Sequence, residues 1–165
     1  MRAVFFVVLL LPFMILGLVD YAFAEDNTVI ATISVGDEPL NIAFDSANNR
    51  MYVVNLNHWG SESPLIIAPD NSSVSVINTA TNGLIANIEV GDRSYGIAFD
   101  STNNRMYVVN GNDDTVSVIS TATNSVIATV SVGDGPRSIA FDSANNRMYV
   151  VNLNHWGSES PLIIA

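Results

Sequence analysis

The sequence predicts an all-β protein built from repeated β-propeller blades, each of four antiparallel strands. Three segments restate one another, beginning at Val29, Leu84 and Val126, with spacings of 55 and 42 residues. A spacing near 42 residues is typical of propeller blades, which take about 40–45 residues each. No segment after Ala24 combines helical periodicity with capping residues. About three blades are therefore expected, forming an incomplete ring.

A 13-residue insert accounts for the unequal spacings. Residues 42–68 and 139–165 are identical at all 27 positions. Both copies end in the insert, at residues 56–68 and 153–165, and the second repeat lacks it after Asn110. We therefore interpret residues 25–165 as a partial propeller, whose repeats are 29–83, 84–125 and 126–165.

The first repeat shows the four predicted strands, at residues 40–45, 50–55, 73–78 and 84–90. These runs are rich in β-branched and aromatic residues and are bounded by Asn, Asp, Gly and Ser. The second run is apolar on both faces, as expected of a strand between neighbouring sheets. Residues 29–35 have the sequence of a fourth strand, so we expect a strand there that completes the last blade of a closed ring.

The turn residues agree with this pattern. Asn48 and Asn49 link the first two strands, and Asn tolerates the left-handed backbone conformation of tight hairpins. Gly36, Gly91 and Gly133 precede Asp at each crossing to the next blade. A positive φ is expected at these three glycines.

The N-terminus carries an export signal. Arg2 is followed by a 17-residue apolar run, and Ala22 and Ala24 provide small residues for a signal peptidase. We interpret residues 1–24 as a signal peptide with a helical apolar segment. The alternative is an uncleaved membrane anchor, since 17 residues is near the lower limit for spanning. Both readings place the rest of the chain outside the cytoplasm, as a secreted, periplasmic or cell-surface protein.

The amino-acid composition limits the classes of partner and cofactor that the chain is expected to bind. The net charge is −10, and all six basic residues are Arg. Such a surface repels phosphates and anionic lipid, so neither nucleic acid nor a membrane beyond the N-terminal segment is an expected partner. The chain has no Cys, which excludes disulfides, thiolate metal sites and c-type haem attachment. No cofactor is expected.

The second strand of each repeat carries a family resemblance. Tyr52-Val-Val-Asn55, Tyr107-Val-Val-Asn110 and Tyr149-Val-Val-Asn152 resemble the Tyr-Val-Thr-Asn signature of YVTN-type β-propeller repeats. The resemblance covers residues 29–165. It implies radial blades with the first strand innermost, in a family common in surface-layer and secreted proteins of archaea and bacteria. The chain departs from the signature at its third position, Val for Thr, and by the 13-residue insert.

Candidate ligand-binding residues lie on the loops that join second to third strands and on the crossings between blades. Because strands alternate in direction, these segments should share one face of the propeller. The candidates are His58, Trp59, Glu62, Asp92, Arg93, Arg137, His155, Trp156 and Glu159. An imidazole, an indole and a carboxylate suit a sugar, a peptide or a weakly held divalent cation. Alternatively, the insert packs Trp59 against the propeller rim as a structural element. Asn71 begins an N-glycosylation sequon.

The expected function is an exported, non-enzymatic binding or scaffold module, with a protein or glycan partner at the cell surface. No catalytic residue or metal ligand is assigned. The alternative is an enzyme, such as a metal-dependent lyase-like propeller with its site on the loop face. Propellers close with four to eight blades. We therefore expect either a fragment of a longer protein, whose remaining blades close the ring, or closure by self-association.

Overall fold

The computed structural model describes residues 29–56, 71–153 and 162–164. Within these residues all regular secondary structure is β-strand, which confirms the all-β prediction. The described part of the chain contains no helix able to cross a membrane. The predicted signal segment, residues 1–24, lies outside the described residues.

The chain divides into two compact units, Met1–Thr32 and Ile33–Ala165. In the first unit, the described residues 29–32 belong to no strand. The second unit holds every described strand, numbered in chain order as follows. The strands are β1 (Pro39–Asp45), β2 (Arg50–Asn55), β3 (Asn71–Asn78), β4 (Gly83–Asp92), β5 (Ser94–Asp100), β6 (Arg105–Asn110), β7 (Thr115–Ser120), β8 (Ser125–Ser131), β9 (Pro136–Asp142), β10 (Arg147–Asn152) and β11 (Leu162–Ile164).

The strands form three antiparallel sheets, each a meander. The first sheet has the order β1-β2-β3-β4, the second β5-β6-β7-β8, and the third β11-β10-β9. The register repeats from sheet to sheet. Tyr52 lies opposite Ala43, and Tyr107 opposite Ala98, so the two sheets pair the same residue types at the same places. The Tyr-Val-Val-Asn segments are thus second strands of their sheets, as predicted.

The sheets stack face to face because their second strands are apolar on both sides and their third strands carry buried valines on one side. We call the face that packs on the preceding sheet the leading face, and the face that packs on the next sheet the trailing face. One core cluster joins trailing residues of the first sheet to leading residues of the second: Tyr52, Val54, Val74 and Val76 with Ile97, Met106, Val108 and Ile119. A second cluster joins the second sheet to the third in the same way: Tyr107, Val109, Val116 and Val118 with Ile139, Met148 and Val150. Removing these side chains from water is the main stabilising contribution to the stack.

An aspartate at the end of each first strand organises the first hairpin. Asp45 Oδ1 accepts the backbone N–H of Ala47 (3.0 Å) and Asn48 (3.1 Å), and Asn48 Nδ2 donates to Asp45 Oδ2 (2.8 Å). The pattern recurs at Asp100 and Asp142. In the third copy, the hydrogen bond from the side chain of Asn145 is the main cause that lowers the pKa of Asp142. The predicted left-handed conformation is present at the second Asn of each turn: Asn49, Asn104 and Asn146.

The prediction of a positive φ at Gly36, Gly91 and Gly133 is wrong. The left-handed residue lies two positions later in each crossing, at Glu38 (φ 51°), Arg93 (φ 50°) and Gly135 (φ 61°). These positions require glycine for a different reason, because their backbone lies close to the side chain of the Asn that ends the second strand. A Cβ would lie 2.8 Å from Asn55 Cγ at Gly36, 2.6 Å from Asn110 Cγ at Gly91, and 2.6 Å from Asn152 Nδ2 at Gly133.

Two further expectations differ from the structure. Residues 29–35 form no strand, and Val29 and Ile30 are exposed. Completion of the last blade by this segment therefore stays a prediction. In the third sheet, part of the insert itself acts as third strand: β11 pairs Ile164 with Met148, as β3 pairs Ile77 with Met51. Backbone pairing with this segment satisfies part of the otherwise open edge of β10.

Candidate functional site

The blade crossings and the links between second and third strands share one end of the sheets, which we call the crossing face. Equivalent backbone hydrogen bonds hold the start of each link to the crossing turn beside it. The bonds run from Leu56 N–H to Glu38 O (3.1 Å), from Gly111 N–H to Arg93 O (2.8 Å) and from Leu153 N–H to Gly135 O (2.9 Å). Since Leu56 and Leu153 begin the two inserts, both inserts start on this face, as the alternation of strand direction predicts.

Beneath each crossing turn lies the Asn of the second strand. Asn110 is 1% exposed, and its Nδ2 donates to Thr115 Oγ1 and Ser117 Oγ, both at 2.9 Å. Its Oδ1 accepts from Ser94 Oγ at 2.8 Å. One amide therefore ties the first, second and third strands of the second sheet together. Because buried polar groups are costly when unpaired, this Asn is a structural hub of the blade.

The first sheet repeats the hub with one bond fewer. Asn55 Nδ2 donates to Ser75 Oγ (2.9 Å) and Ser73 Oγ (3.3 Å), but Asn55 Oδ1 has no hydrogen-bond partner among the described residues. The cause is visible in the register, where Asn55 faces Pro39 and Asn110 faces Ser94. Proline has no hydroxyl to donate. In the third sheet Asn152 likewise faces a proline, Pro136.

The acidic loop of the second repeat braces two crossing turns. Asp113 Oδ2 accepts the backbone N–H of Asp92 (2.9 Å), and Asn112 Nδ2 donates to Asp92 Oδ2 (2.7 Å). Asp114 Oδ1 accepts the backbone N–H of Gly135 (2.8 Å). These side chains therefore have a structural role, since their hydrogen bonds hold the crossing turns in place. Among the described residues no group of three or more His, Cys, Asp or Glu is placed to hold a metal ion.

Three of the predicted site residues are described, and all three lie at the crossings. Asp92 is half-buried and bonded as above, and Arg93 is exposed at its positive φ. The Arg137 guanidinium lies 4.0 Å from the centroid of the Tyr95 ring, a cation–π contact between the second and third sheets. The structure thus gives Asp92 and Arg137 supporting roles and leaves Arg93 open to solvent.

The other predicted ligand-binding residues fall in the two inserts. His58, Trp59 and Glu62, with their copies His155, Trp156 and Glu159, lie outside the described residues, so their assignment stays a prediction. Asn71, the possible glycosylation site, is the first residue of β3 and lies opposite Asp92. Ser73, which supplies the hydroxyl of its sequon, is 3% exposed.

A groove on the crossing face was not predicted from the sequence. It has a volume of about 360 Å³ and lies where the end of β4 meets β6, β7 and β8 of the second sheet. Its lining residues are Glu89, Val90, Gly91, Asn110, Asp113, Thr115, Ser117, Val126 and Thr129. The sequence feature that could have indicated this groove is the set of polar residues in the third and fourth strands, which alternate with buried Val. Two carboxylates beside three hydroxyls offer acceptors and donors to a polyol or an amine, with no activated nucleophile in the set.

The opposite end of the sheets is also polar, but its groups are paired between blades. Tyr52 Oη donates to Asn124 Oδ1 (2.9 Å), and Arg50 Nη1 donates to Thr121 O (2.8 Å). Burial of the Tyr52 ring and hydroxyl raises the pKa of that phenol above its ordinary value. These bonds lock the third hairpin of the second sheet onto the second strand of the first.

Comparison with known proteins supports the fold. No protein-family model and no curated protein matches the chain. Kuenenia stuttgartiensis hydrazine synthase superposes with a TM-score of 0.58 at 19% identity, over 76% of this chain and 33% of that one. The β-propeller domain of Cps50 (Swd1) from Myceliophteria thermophila superposes with a TM-score of 0.60 at 7% identity, over 82% and 37%. The chain spans about a third of each of these structures. At these identities the likeness shows the fold alone: the sheets are β-propeller blades.

Proposed function

We propose that the chain is an exported, non-enzymatic propeller of the YVTN repeat type, acting as a binding or scaffold module outside the cytoplasm. The observation that carries the proposal is that polar side chains on the crossing face form hydrogen bonds that hold the frame together. Carboxylates and amides that resemble a binding constellation, such as Asp113, Asp114 and Asn110, are bonded to backbone N–H groups and hydroxyls of the frame. A repeated, rigid frame that presents loops is the usual architecture of a recognition module.

The exposed charge on this face favours a partner with basic or hydrogen-bonding groups. Asp37, Glu38 and Asp134 are exposed at the crossings, and the chain as a whole is strongly acidic. Complementary charge raises association rates and makes binding sensitive to salt. We infer a protein or glycan of the cell surface as the partner, with the inserts that begin at Leu56 and Leu153 as further contact segments. The leader-like residues 1–24 support export.

The first test is localisation. The full chain carrying a C-terminal tag is expressed and the cells are fractionated, beside a variant with Ala22→Arg and Ala24→Arg that removes the small residues before the predicted cleavage point. Export is supported by tagged protein outside the cytoplasm that is shorter than the variant's product. A wild-type product that stays in the cytoplasm refutes it.

The second test is binding to the isolated cell envelope of the producing organism. The exported chain is labelled, and its binding is compared on untreated, protease-treated and periodate-treated envelope. Saturable binding that is lost after either treatment, and that weakens with rising salt, is expected. Absence of saturable binding contradicts the proposal.

A matched pair of variants assigns the binding to the crossing face. Asp37→Asn, Glu38→Gln and Asp134→Asn together remove three negative charges there and should weaken binding several-fold. The control adds three positive charges at exposed hairpins of the opposite end, with Ala80→Lys, Ala122→Lys and Ala144→Lys. Equal weakening by both sets would show general electrostatics instead of a site.

The enzyme alternative predicts a different result. It requires turnover that depends on a divalent cation and is abolished by His58→Ala together with His155→Ala. Such turnover, measured with the exported chain, would replace the binding-module proposal.

A further inference from the structure

The repeats differ from one another mainly at one short stretch. Residues 29–55, 84–110 and 126–152 align without gaps. At every position of this alignment except three, at least two of the repeats carry the same residue. We call residues 38–41, 93–96 and 135–138 the variable blocks, because the three exceptions all lie in them. The exceptions are Glu38, Arg93 and Gly135; Leu40, Tyr95 and Arg137; and Asn41, Gly96 and Ser138.

The variable blocks lie beside one another on the crossing face. Each begins in a crossing turn and continues into the first strand of its sheet, and the central first strand, β5, contacts both β1 and β9. A Cβ on Gly96 would lie 3.0 Å from Arg137 O, and the Arg137 guanidinium lies over the Tyr95 ring. The blocks therefore form one continuous surface at the crossing ends of the first strands.

Folding alone does not explain the variation. Where the frame depends on a side chain, the repeats keep it, as they keep the Asn that ends each second strand. The variable positions are mostly exposed, and they include Glu38, Leu40, Arg93 and Arg137. Exposed segments held by a rigid frame are the usual place for recognition. The variation therefore marks a contact surface whose chemistry differs from blade to blade.

The variable blocks hold the basic groups of the crossing face. Among the described arginines, Arg50, Arg105 and Arg147 begin second strands at the opposite end of the sheets, whereas Arg93 and Arg137 lie in the blocks. Stacking on Tyr95 uses the flat side of the Arg137 guanidinium and leaves its in-plane N–H groups as donors. Such donors match the two oxygens of a carboxylate.

We propose that the variable blocks bind an acidic peptide segment of a partner protein. Carboxylates of the peptide contact Arg93 and Arg137, and an apolar side chain lies against Leu40, which is 52% exposed. A peptide fits better than an acidic glycan, because Arg137 occupies the Tyr95 ring on which a sugar would stack. Exposed Asp37 beside the first block favours basic groups at the ends of the same peptide. This inference rests on the proposed binding function and names its ligand class.

The test uses the purified full chain and a fluorescent synthetic peptide, Lys-Gly-Glu-Leu-Leu-Glu-Gly-Lys, with binding followed by fluorescence anisotropy. Saturable binding is expected, and replacing both Glu residues of the peptide by Gln should weaken it about ten-fold or more. Arg93→Gln and Arg137→Gln should each raise the dissociation constant about ten-fold, because each removes a charged hydrogen-bond donor. Arg137→Lys should recover only part of the affinity, because an ammonium lacks the planar fork.

Arg105→Gln is the matched control, since it removes the same charge from an exposed residue at the opposite end of the sheets. It should change the dissociation constant less than about two-fold, because distant surface charges are screened by salt. Circular dichroism checks that each variant keeps its strand signal.

Four results overturn the proposal: no saturable binding of the peptide, equal binding of its Gln form, equal weakening by Arg105→Gln and Arg93→Gln, or tighter binding of tri-galacturonate, which would indicate an acidic glycan. The envelope assay separates this inference from the proposed function. Peptide binding without envelope binding contradicts the proposed function and leaves the site intact. Envelope binding that is indifferent to both Arg93→Gln and Arg137→Gln contradicts the site alone.

Discussion

The hydroxyl of Ser94 offers the sharpest test of the hub that organises each blade. Ser94 is 0% exposed, and its Oγ lies 2.8 Å from Asn110 Oδ1 and 3.1 Å from Gly91 O. Its single proton serves two acceptors, of which the Asn110 oxygen is the nearer. Ser94→Ala removes the donor and leaves the strand otherwise intact, because the backbone N–H of Ser94 keeps its bond to Ser72 Oγ (2.9 Å).

The expected loss of stability is about 1–3 kcal/mol, the usual cost of leaving a buried acceptor without its donor. A value at the lower end is expected if the amide relaxes toward Thr115 and Ser117. Ser101→Ala is the matched control, since Ser101 is exposed in the following hairpin and such substitutions stay within about 0.5 kcal/mol.

Urea unfolding of the purified chain measures the difference. All variants are compared at one protein concentration, so that any association contributes equally to their apparent stability. The transition midpoint should fall for Ser94→Ala with an unchanged slope, and it should not move for Ser101→Ala. Equal midpoints for the two variants would refute the reasoning, and would mean that the Asn110 oxygen is satisfied without Ser94.

Three further predictions use the same urea assay. Gly91→Ala should destabilise the chain by about 1–3 kcal/mol, because the added Cβ would meet side-chain atoms at 2.4–2.7 Å. Gly83→Ala should cost less, because the nearest atom to its added Cβ is a side-chain oxygen at 3.2 Å. Equal costs for the two variants would contradict the packing argument. Gly135→Ala should lower the free energy of unfolding by about 1 kcal/mol, because it places a Cβ on a residue with positive φ. Arg93→Gly removes the Cβ at the equivalent position of another crossing turn, so it should not lower the stability of the chain. A loss of stability in Arg93→Gly as large as in Gly135→Ala would refute this explanation. Burial raises the pKa of Tyr52 in the folded state, so the contribution of Tyr52 to stability is full below pH 10.0 and is lost as pH rises through the raised pKa. Tyr52→Phe should therefore flatten the decline of stability above pH 10.0. An unchanged slope would show that other groups cause the decline.

The strands could be predicted from the sequence because their signals are local. In Tyr52-Val-Val-Asn55 the β-branched and aromatic run and its bounding Asn appear within four residues, and the structure has β2 end at that Asn. Repetition strengthened the inference, since the same segment recurs at equivalent places in β6 and β10. The period of about 42 residues gives the length of a blade, but it does not show which strand begins a sheet: the sequence repeats begin at Leu84 and Val126, whereas the second and third sheets begin at Ser94 and Pro136.

The crossing turns show where sequence reasoning stops. A repeated Gly indicates that a Cβ is not tolerated, but steric approach and a positive φ both produce that signal. Only the structure separates them, by placing Asn110 beside Gly91 and the left-handed residue at Arg93. The groove was missed for a related reason, since Glu89 and Thr129 come from neighbouring sheets and meet only when the sheets stack.

Stacking also explains why one repeat sequence has different exposure in different copies. Each blade carries both halves of the blade interface, a leading Ile and a trailing pair of Tyr and Val, and neither half is covered within its own sheet. Ile42 and Ile97 differ in burial only because the second has a sheet in front of it. In such an array, stability is approximately the sum of blade contributions and of contributions from the interfaces between neighbouring blades. Ile97→Ala should therefore lower the urea midpoint more than Ile42→Ala does, because the first leaves a cavity between two sheets and the second removes an exposed side chain; equal shifts would contradict the argument.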